Sequence, residues 1–171
     1  MIAKGMRLPS IPLVASSGGY VDLSSLQGIG VVYAYPRTSP PDSPPLEGWD
    51  QIPGARGCTR QSCAIRDHHA ELAGAGARFV FGLSTQTTAY QSEAAERLHL
   101  PFALLSDAEL RLARALGLPT FSAGGMTLLK RLTFIFCNGY VEQVMFPVED
   151  PGRNAQEVLI RLGQLTGQAY S

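Results

Sequence analysis

Cysteine, charge and long apolar runs are all scarce in this sequence of 171 residues. Three cysteines are too few for the disulfide framework of a small secreted protein. Charged residues make up 16% of the chain and the formal net charge is zero, so no basic surface favours nucleic acid or a membrane. No apolar run approaches the roughly 20 residues of a membrane span, and residues 1–10 lack the apolar segment of a secretory signal. We therefore expect a cytoplasmic protein, in which a close cysteine pair is more often catalytic or metal-binding than structural.

Apolar runs and helical patterns alternate along the chain and predict an α/β fold. Residues 29–35 are continuously apolar, β-branched or aromatic, which suits a central strand covered on both faces. Asn138-Gly139 is a strong hairpin signal between two further strands, 127–137 and 140–146. The predicted layout is thioredoxin-like, with one domain over residues 1–171, a central mixed β-sheet flanked by helices and an N-terminal β-hairpin. The other predicted elements are that hairpin over 8–26, strands over 77–83 and 102–105, and helices over 59–73, 87–98, 108–116 and 154–165.

A proline-rich segment separates the first central strand from the first helix. Residues 38–53 contain five prolines, and proline removes a backbone donor and fixes φ. The segment can therefore be neither a helix nor an interior strand, and we expect an ordered or semi-ordered loop. It also carries Trp49, the only tryptophan. We interpret Trp49 as core filler, with a cap over a pocket or a docking surface as the alternatives.

Two cysteines, Cys58 and Cys63, lie where the predicted helix begins after this loop. The unpaired N–H groups and the positive end of a helix dipole favour a thiolate at Cys58. Attack of a thiolate on a peroxide gives a sulfenic acid, and a neighbouring thiol can condense with it to a disulfide. Cys63 is placed for that second role. Three arginines are candidates for a guanidinium near the thiolate: Arg56, Arg60 and Arg131.

The spacing of this pair sets a condition on any disulfide. Five residues along an α-helix rise about 7.5 Å, whereas a disulfide needs Cα atoms within about 7 Å. Cys58 and Cys63 therefore cannot bridge while the helix is intact, so the first turn must unwind after oxidation. Two alternatives remain open, which are inert packing residues and a metal site. The metal site is disfavoured because no second ligand pair follows.

Three further residues, two histidines and one cysteine, have reactive side chains, but we interpret them as structural or surface residues. His68 and His69 fall on a solvated stretch, and we interpret them as surface or interface residues. Cys137 ends an apolar run, and we expect a buried small hydrophobic residue there. If Cys137 is exposed at the strand end, it is instead a candidate for an intermolecular thiol.

The segment from Gly57 to Cys63, followed by Arg66-Asp67, resembles the active-site segment of peroxiredoxins. The type it most resembles is peroxiredoxin Q, also called bacterioferritin comigratory protein. Weaker similarities follow in the family's order and extend the resemblance over roughly residues 8–165. They lie at residues 32–36, 82–84, 104–107, 113–118 and 131–139.

The resemblance implies a role for four residues. Cys58 would be the peroxidatic cysteine and Cys63 the resolving cysteine. Arg131 would help to hold the thiolate and polarise the peroxide, although from its position alone it is a solvent-facing strand residue. Pro36 would shield the thiolate.

The sequence departs from the family pattern in the active-site loop. The family has threonine or serine three residues before the peroxidatic cysteine, where this chain has Ala55. Cys58 also lies much farther from Pro36 than in the family, so residues 38–53 look like an insertion. Thr38 is a candidate to fold back and supply the missing hydroxyl; the alternative is that backbone N–H groups at the helix start, including that of Cys58, bind the peroxide. Ser39 and Ser43 are weaker candidates.

These observations together predict a thiol-dependent peroxidase. Hydrogen peroxide or an organic hydroperoxide would oxidise Cys58, Cys63 would resolve the sulfenic acid, and thioredoxin or a glutaredoxin-type dithiol would regenerate the pair. We expect no metal, flavin, haem or other cofactor, no nucleic acid or membrane partner, and a monomer or homodimer. The main alternative is a peroxide sensor or redox relay that passes its disulfide to a client protein. A thiol–disulfide oxidoreductase, which lacks its usual C-x-x-C here, and an inactive binding domain are further alternatives.

Overall fold

A seven-stranded mixed sheet forms the centre of the structure, a computed structural model that describes residues 1–39, 46–52 and 55–169. The strands are β1 (Pro12–Ala15), β2 (Tyr20–Asp22), β3 (Ile29–Ala34), β4 (Ala77–Ser84), β5 (Leu104–Ser106), β6 (Thr120–Ala123), β7 (Met126–Leu129), β8 (Leu132–Cys137) and β9 (Tyr140–Met145). Their order in the large sheet is β2-β1-β5-β4-β3-β8-β9, and β6 and β7 form a separate hairpin. Strands β3, β4 and β5 are parallel, whereas the other neighbours pair antiparallel. The predicted mixed sheet and N-terminal hairpin are confirmed.

Helices cover both faces of this sheet. They are α1 (Cys58–Asp67), α2 (His69–Gly74), α3 (Thr88–Arg97), α4 (Arg111–Leu116) and α5 (Asn154–Ala169), with 3-10 turns at Leu23–Ser25, Trp49–Gln51 and Pro151–Arg153. Side chains alternate along β3, so Val32 faces one core and Tyr33 the other. Helix α4 packs in the first core, and α1, α2, α3 and α5 pack in the second. Within the described ranges, no helix has both the length and the apolar character needed to cross a membrane.

The helix predicted over residues 59–73 is wrong, because the structure has two helices there. His68 leaves the helical region with φ −100° and ψ 7°, which ends α1 and begins α2. Its ring Nδ1 lies 2.8 Å from the carbonyl oxygen of Ala64, which also accepts the His68 N–H. Side-chain bonding to the preceding turn competes with helix continuation. Helix α1 is therefore a short element that carries both Cys58 and Cys63.

The single strand predicted over residues 127–137 is also wrong. Lys130 and Arg131 interrupt it, so β7 pairs with β6 and β8 enters the large sheet. The β6–β7 hairpin turns at Gly124 and Gly125, which both have positive φ. The Gly124-Gly125 pair, a turn signal, could have indicated this hairpin in the sequence. The break matters for function because it places Arg131 beside the start of β8 rather than within a strand.

Two turn predictions depend only on local chemistry and agree with the structure. Asn138 and Gly139 both have positive φ, 49° and 84°, as a two-residue hairpin requires. Gly117 ends α4 in the left-handed region. Helix α4 itself starts later than predicted, at Arg111, because the Asp107 carboxylate accepts the backbone N–H groups of Leu112 and Ala113.

Candidate active site

Cys58 is the first residue of α1 and is 4% exposed. The preceding Gly57 adopts the left-handed conformation at φ 101°, and a Cβ there would lie 2.8 Å from a side-chain carbon of Pro151. Glycine is therefore required both by the backbone and by the close packing of the neighbouring segment. The result is a thiol at the positive end of a helix, where the dipole and the free N–H groups stabilise an anion.

Arg131 is the arginine that contacts the cysteine sulfur. Its Nη2 donates to Cys58 Sγ at 3.2 Å and to the carbonyl oxygen of Arg56 at 2.9 Å. The guanidinium is buried, with the residue 4% exposed. The other two candidate arginines face solvent and form ion pairs instead, so the structure does not support them beside the sulfur. These pairs are Arg56 with Asp50 at 3.4 Å and Arg60 with Asp150 at 3.3 Å.

A buried polar network holds the other end of the Arg131 guanidinium. Its Nη1 donates to Gln61 Oε1 at 2.6 Å, and Gln61 Nε2 donates to Asn154 Oδ1 at 3.0 Å. Thr133 Oγ1 donates to the same Asn154 oxygen at 2.8 Å. Sequence reasoning missed Gln61 and Asn154. The position of Gln61, three residues after Cys58 on one helix, is the signal that could have identified it.

Two tyrosines from β3 and its C-terminal end pack in the same core as Cys58. Tyr33 and Tyr35 are fully buried with ring centroids 5.8 Å apart. The Tyr33 hydroxyl lies 3.0 Å from Ser62 Oγ. Burial, the largest cause, raises the pKa of both phenols well above the ordinary value. The core beneath the thiol therefore stays neutral and adds no negative charge against a thiolate.

Cys58 lies in the wall of a cavity of about 380 Å³. Thr38 lines the same cavity and is 5% exposed, and its Oγ1 is buried without a hydrogen-bond partner among the described residues. Ala55 also lines it and has no hydroxyl to offer. Ser43 lies outside the described residues. Other wall residues include Arg37, Ser39, Leu46, Trp49 and Arg60.

The comparisons with known proteins agree with this arrangement. The Redoxin family model matches residues 3–159. Peroxiredoxin Q, chloroplastic, of Sedum lineare is 32% identical over 96% of this chain and 80% of that protein. This chain belongs to the peroxiredoxins of the redoxin family. The resemblance seen in the sequence is confirmed.

Two further comparisons show how much of this peroxiredoxin is similar to known proteins. The putative peroxiredoxin Q, chloroplastic, of Oryza sativa subsp. indica is 32% identical over 92% of this chain, which spans only 65% of that protein's length. The crystal structure of peroxidoxin BcpB from Mycobacterium tuberculosis has a TM-score of 0.78 at 25% identity and covers 96% of this chain and 99% of that one. The thioredoxin-like fold is thereby established over nearly the whole chain.

Trp49 is not core filler, as the sequence suggested, but part of the cavity wall of this peroxiredoxin. It is partly buried on the 3-10 turn, with its ring centroid 6.2 Å from that of Phe121 on β6. Leu46 packs close to Gly124 at the turn of the same hairpin. The described part of the inserted loop therefore rests on the β6–β7 hairpin and faces the thiol.

Cys63 and Pro36 are the other two residues to which the resemblance gives a role. Cys63 is partly buried on the intact α1 and is a free thiol, as is Cys58. Pro36 is buried two residues after the end of β3, and it is not among the residues that line the cavity. Its shielding role stays a prediction. No group of three or more His, Cys, Asp or Glu side chains in the described ranges could hold a metal ion.

The remaining candidates lie away from the sulfur contacts described above. The His68 ring lies within hydrogen-bond distance of the Ala64 carbonyl oxygen in the preceding turn. The ring of His69 lies 5.8 Å from that of Phe102, and both histidines are partly buried. Cys137 is partly buried rather than fully buried, so that prediction is wrong. Burial, followed by the charge of Glu142, raises the pKa of the Cys137 thiol above its ordinary value.

Proposed function

We propose that this chain is a thiol peroxidase whose nucleophile is Cys58. The observation that carries the proposal is the 3.2 Å contact between Arg131 Nη2 and Cys58 Sγ at the start of α1, in a cavity wall. A guanidinium contact and a helix N-terminus both stabilise the thiolate that attacks a peroxide. Membership of the peroxiredoxins supports the same activity.

The proposed first step is a two-electron oxidation of sulfur. The Cys58 thiolate attacks one oxygen of the hydroperoxide, an S–O bond forms and the O–O bond breaks. Cys58 becomes a sulfenic acid, and the departing hydroxide or alkoxide takes a proton to give water or an alcohol. Arg131 donates to the sulfur, and its charge also opposes the negative charge that develops on the leaving oxygen.

Thr38 supplies the hydroxyl that orients the peroxide in this proposal. It lines the cavity beside Cys58, and its buried Oγ1 has no partner among the described residues. A buried hydroxyl without a partner is destabilising by roughly 1–3 kcal/mol, so such groups usually have a partner that arrives with a ligand or water. Ala55, at the family's threonine position, cannot act in this way.

Cys63 resolves the sulfenic acid after the first turn of α1 unwinds. Its thiol condenses with the Cys58 sulfenic acid, forms an S–S bond and releases water. The first turn is held from outside by Pro151, which packs on Gly57, and by the exposed Arg60–Asp150 pair. The exposed Arg60–Asp150 pair stabilises this turn by about 1 kcal/mol or less, so the first turn of α1 can unwind.

A protein dithiol of the thioredoxin or glutaredoxin kind then reduces the disulfide by thiol exchange. The substrates are hydrogen peroxide and small organic hydroperoxides, and the cytoplasm is the proposed location. The cavity wall contains both Arg60 and Trp49, which is compatible with a polar peroxide group and an apolar substituent.

A stoichiometric peroxide titration of reduced protein, analysed by intact mass, tests the proposal. Wild type should lose two hydrogen atoms, Cys58→Ser should stay unchanged, and Cys63→Ser should gain one oxygen. Cys137→Ser is the matched control and should behave as wild type. If Cys58→Ser is oxidised as readily as wild type, the assignment of Cys58 fails. Turnover with thioredoxin separates a peroxidase from a sensor, which would be oxidised once and recycle poorly.

A further inference from the structure

The side-chain amide of Gln86 forms two hydrogen bonds with one residue, Thr38. The Thr38 N–H donates to Gln86 Oε1 at 3.0 Å, and Gln86 Nε2 donates to the Thr38 carbonyl oxygen at 2.8 Å. These groups belong to the peptide planes before and after the Thr38 Cα. The amide therefore fixes both planes and with them the direction of the Thr38 Cα–Cβ bond, from which the hydroxyl projects.

Only an amide of this length satisfies both bonds. A carboxylate could accept from the Thr38 N–H but would face the Thr38 carbonyl with a second oxygen, and an apolar side chain would make neither bond. Gln86 follows β4 by two residues, whereas Thr38 lies at the start of the inserted loop. The pairing thus ties the loop to the end of the central sheet.

Gln86 is itself held in place by the ends of two parallel strands. Its carbonyl oxygen accepts from Ser106 Oγ at 2.6 Å, and its N–H donates to Ser84 Oγ at 3.3 Å. A third bond restrains the loop one residue later, where Arg97 Nη2 donates to the Ser39 carbonyl oxygen at 3.2 Å. The loop segment next to Cys58 therefore has a rigid support outside the cavity.

Thr38, the residue that Gln86 supports, carries one of the buried polar atoms of the cavity wall that have no hydrogen-bond partner among the described residues. Thr38 is 5% exposed, lines the cavity with Cys58, and keeps its Oγ1 buried and without a hydrogen bond to the described residues. A pre-oriented donor or acceptor is most effective when its position is fixed before the substrate binds. The two bonds from Gln86 provide that fixation.

We infer that Gln86 is a positioning residue, which orients Thr38 so that the Thr38 hydroxyl hydrogen-bonds the peroxide. This hydroxyl takes the place of the threonine hydroxyl that the family has at the position of Ala55. The inference rests on the proposed function, because it assigns Gln86 a part in the oxidation of Cys58. Gln86 does not touch the substrate and acts through Thr38 alone.

The test is a double-mutant cycle on the rate constant for oxidation of Cys58 by hydrogen peroxide. The variants are Gln86→Met, Thr38→Val and the double variant, with Gln86→Glu as a second probe and Gln156→Met on the exposed face of α5 as the control. We expect Gln86→Met and Thr38→Val each to slow oxidation about tenfold, the equivalent of one hydrogen bond. The double variant should be no slower than Thr38→Val, and Gln156→Met should match wild type.

Alkylation of Cys58 by iodoacetamide separates positioning from a general disturbance of the site. Alkylation needs the thiolate but not the Thr38 hydroxyl, so its rate should be unchanged in Gln86→Met. A wild-type oxidation rate in Gln86→Met, or losses that multiply in the double variant, overturns the inference. If Thr38→Val is oxidised at the wild-type rate, the Thr38 hydroxyl does not assist the oxidation, and the inference about Gln86 fails as well. If wild type itself does not react with peroxide, the proposed function fails. Should Gln86→Met not fold, Gln86→Glu is judged by the same criteria.

Discussion

Cys58 and Cys137 both lie at the end of a secondary structure element, but the two ends differ in charge. Cys58 is the first residue of a helix, 4% exposed, with a guanidinium nitrogen 3.2 Å from its sulfur. Cys137 is the last residue of β8 and is only partly buried, and a carboxylate on β9, Glu142, contributes to raising its pKa. The more exposed thiol is thus the one with the less favourable surroundings for a thiolate.

This difference shows that exposure alone does not identify a reactive cysteine. A helix N-terminus carries about half a positive charge, whereas a strand end carries almost none. Arg131 Nη2 donates to the Cys58 sulfur at the N-terminus of α1, a contact that Cys137 lacks among the described residues. At Cys137 burial opposes a thiolate, and the charge of Glu142 adds to that penalty.

Arg131→Met should cause the largest loss. Methionine fills the same buried space without the charge, so we expect peroxide oxidation of Cys58 to slow about a hundredfold, near the upper range for a hydrogen bond to a charged group. Stopped-flow peroxide consumption measures the rate. The control is Arg161→Met on α5, which removes an arginine that pairs with Glu157 at 3.4 Å. If the Arg131→Met rate is within about threefold of wild type, the charge of Arg131 does not explain the difference between Cys58 and Cys137.

Gln61→Leu should have a smaller effect through the same guanidinium. Gln61 Oε1 accepts from Arg131 Nη1 at 2.6 Å, and loss of this anchor should slow oxidation about tenfold. Leu116→Ala is the control, because Leu116 is 1% exposed on α4 in the core on the other face of the sheet, away from Cys58. Both variants should melt at lower temperature, but only Gln61→Leu should slow oxidation. Equal slowing in both would show a general packing effect.

Alkylation of Cys137 should depend on pH in a direction set by its surroundings. Because burial and then Glu142 raise the pKa of this thiol, it stays protonated near neutral pH. Its thiolate fraction therefore grows as pH rises, and the iodoacetamide rate should still be increasing at pH 9. Peptide mass spectrometry after timed labelling measures the rate at Cys137 by itself. A rate that is already constant between pH 7 and pH 9 would contradict the assigned surroundings.

Cys137→Ser should have the smallest effect on catalysis. Cys137 takes no part in the proposed chemistry, so turnover with peroxide and a dithiol reductant should remain within about twofold of wild type, the usual range for a substitution away from buried or functional features. Steady-state peroxide consumption checks this. A large loss would mean that Cys137 participates in resolution or in a contact between chains, and the contrast with Cys58 would no longer hold.

Predictions made from neighbouring residues in the sequence agree best with the structure. The apolar run at β3, the Asn138-Gly139 turn and the position of Cys58 at a helix start all depend on local chemistry. The errors occur where a short local break divides a pattern that looks continuous in the sequence. The β6–β7 hairpin interrupted a run that looked continuous, and His68 divided a helix that looked single.

The sequence by itself therefore determined the class of fold, the family and the position of Cys58 at a helix start, because these depend on residue types and patterns along the chain. Residue spacing left three arginines as candidates and only the resemblance indicated Arg131; tertiary structure places its guanidinium on the sulfur, although Arg131 and Cys58 are 73 residues apart. It also brought Asn154 to Gln61 and Gln86 to Thr38. These contacts depend on strand order and on the reach of side chains across the end of the sheet, and no local pattern in the sequence encodes either.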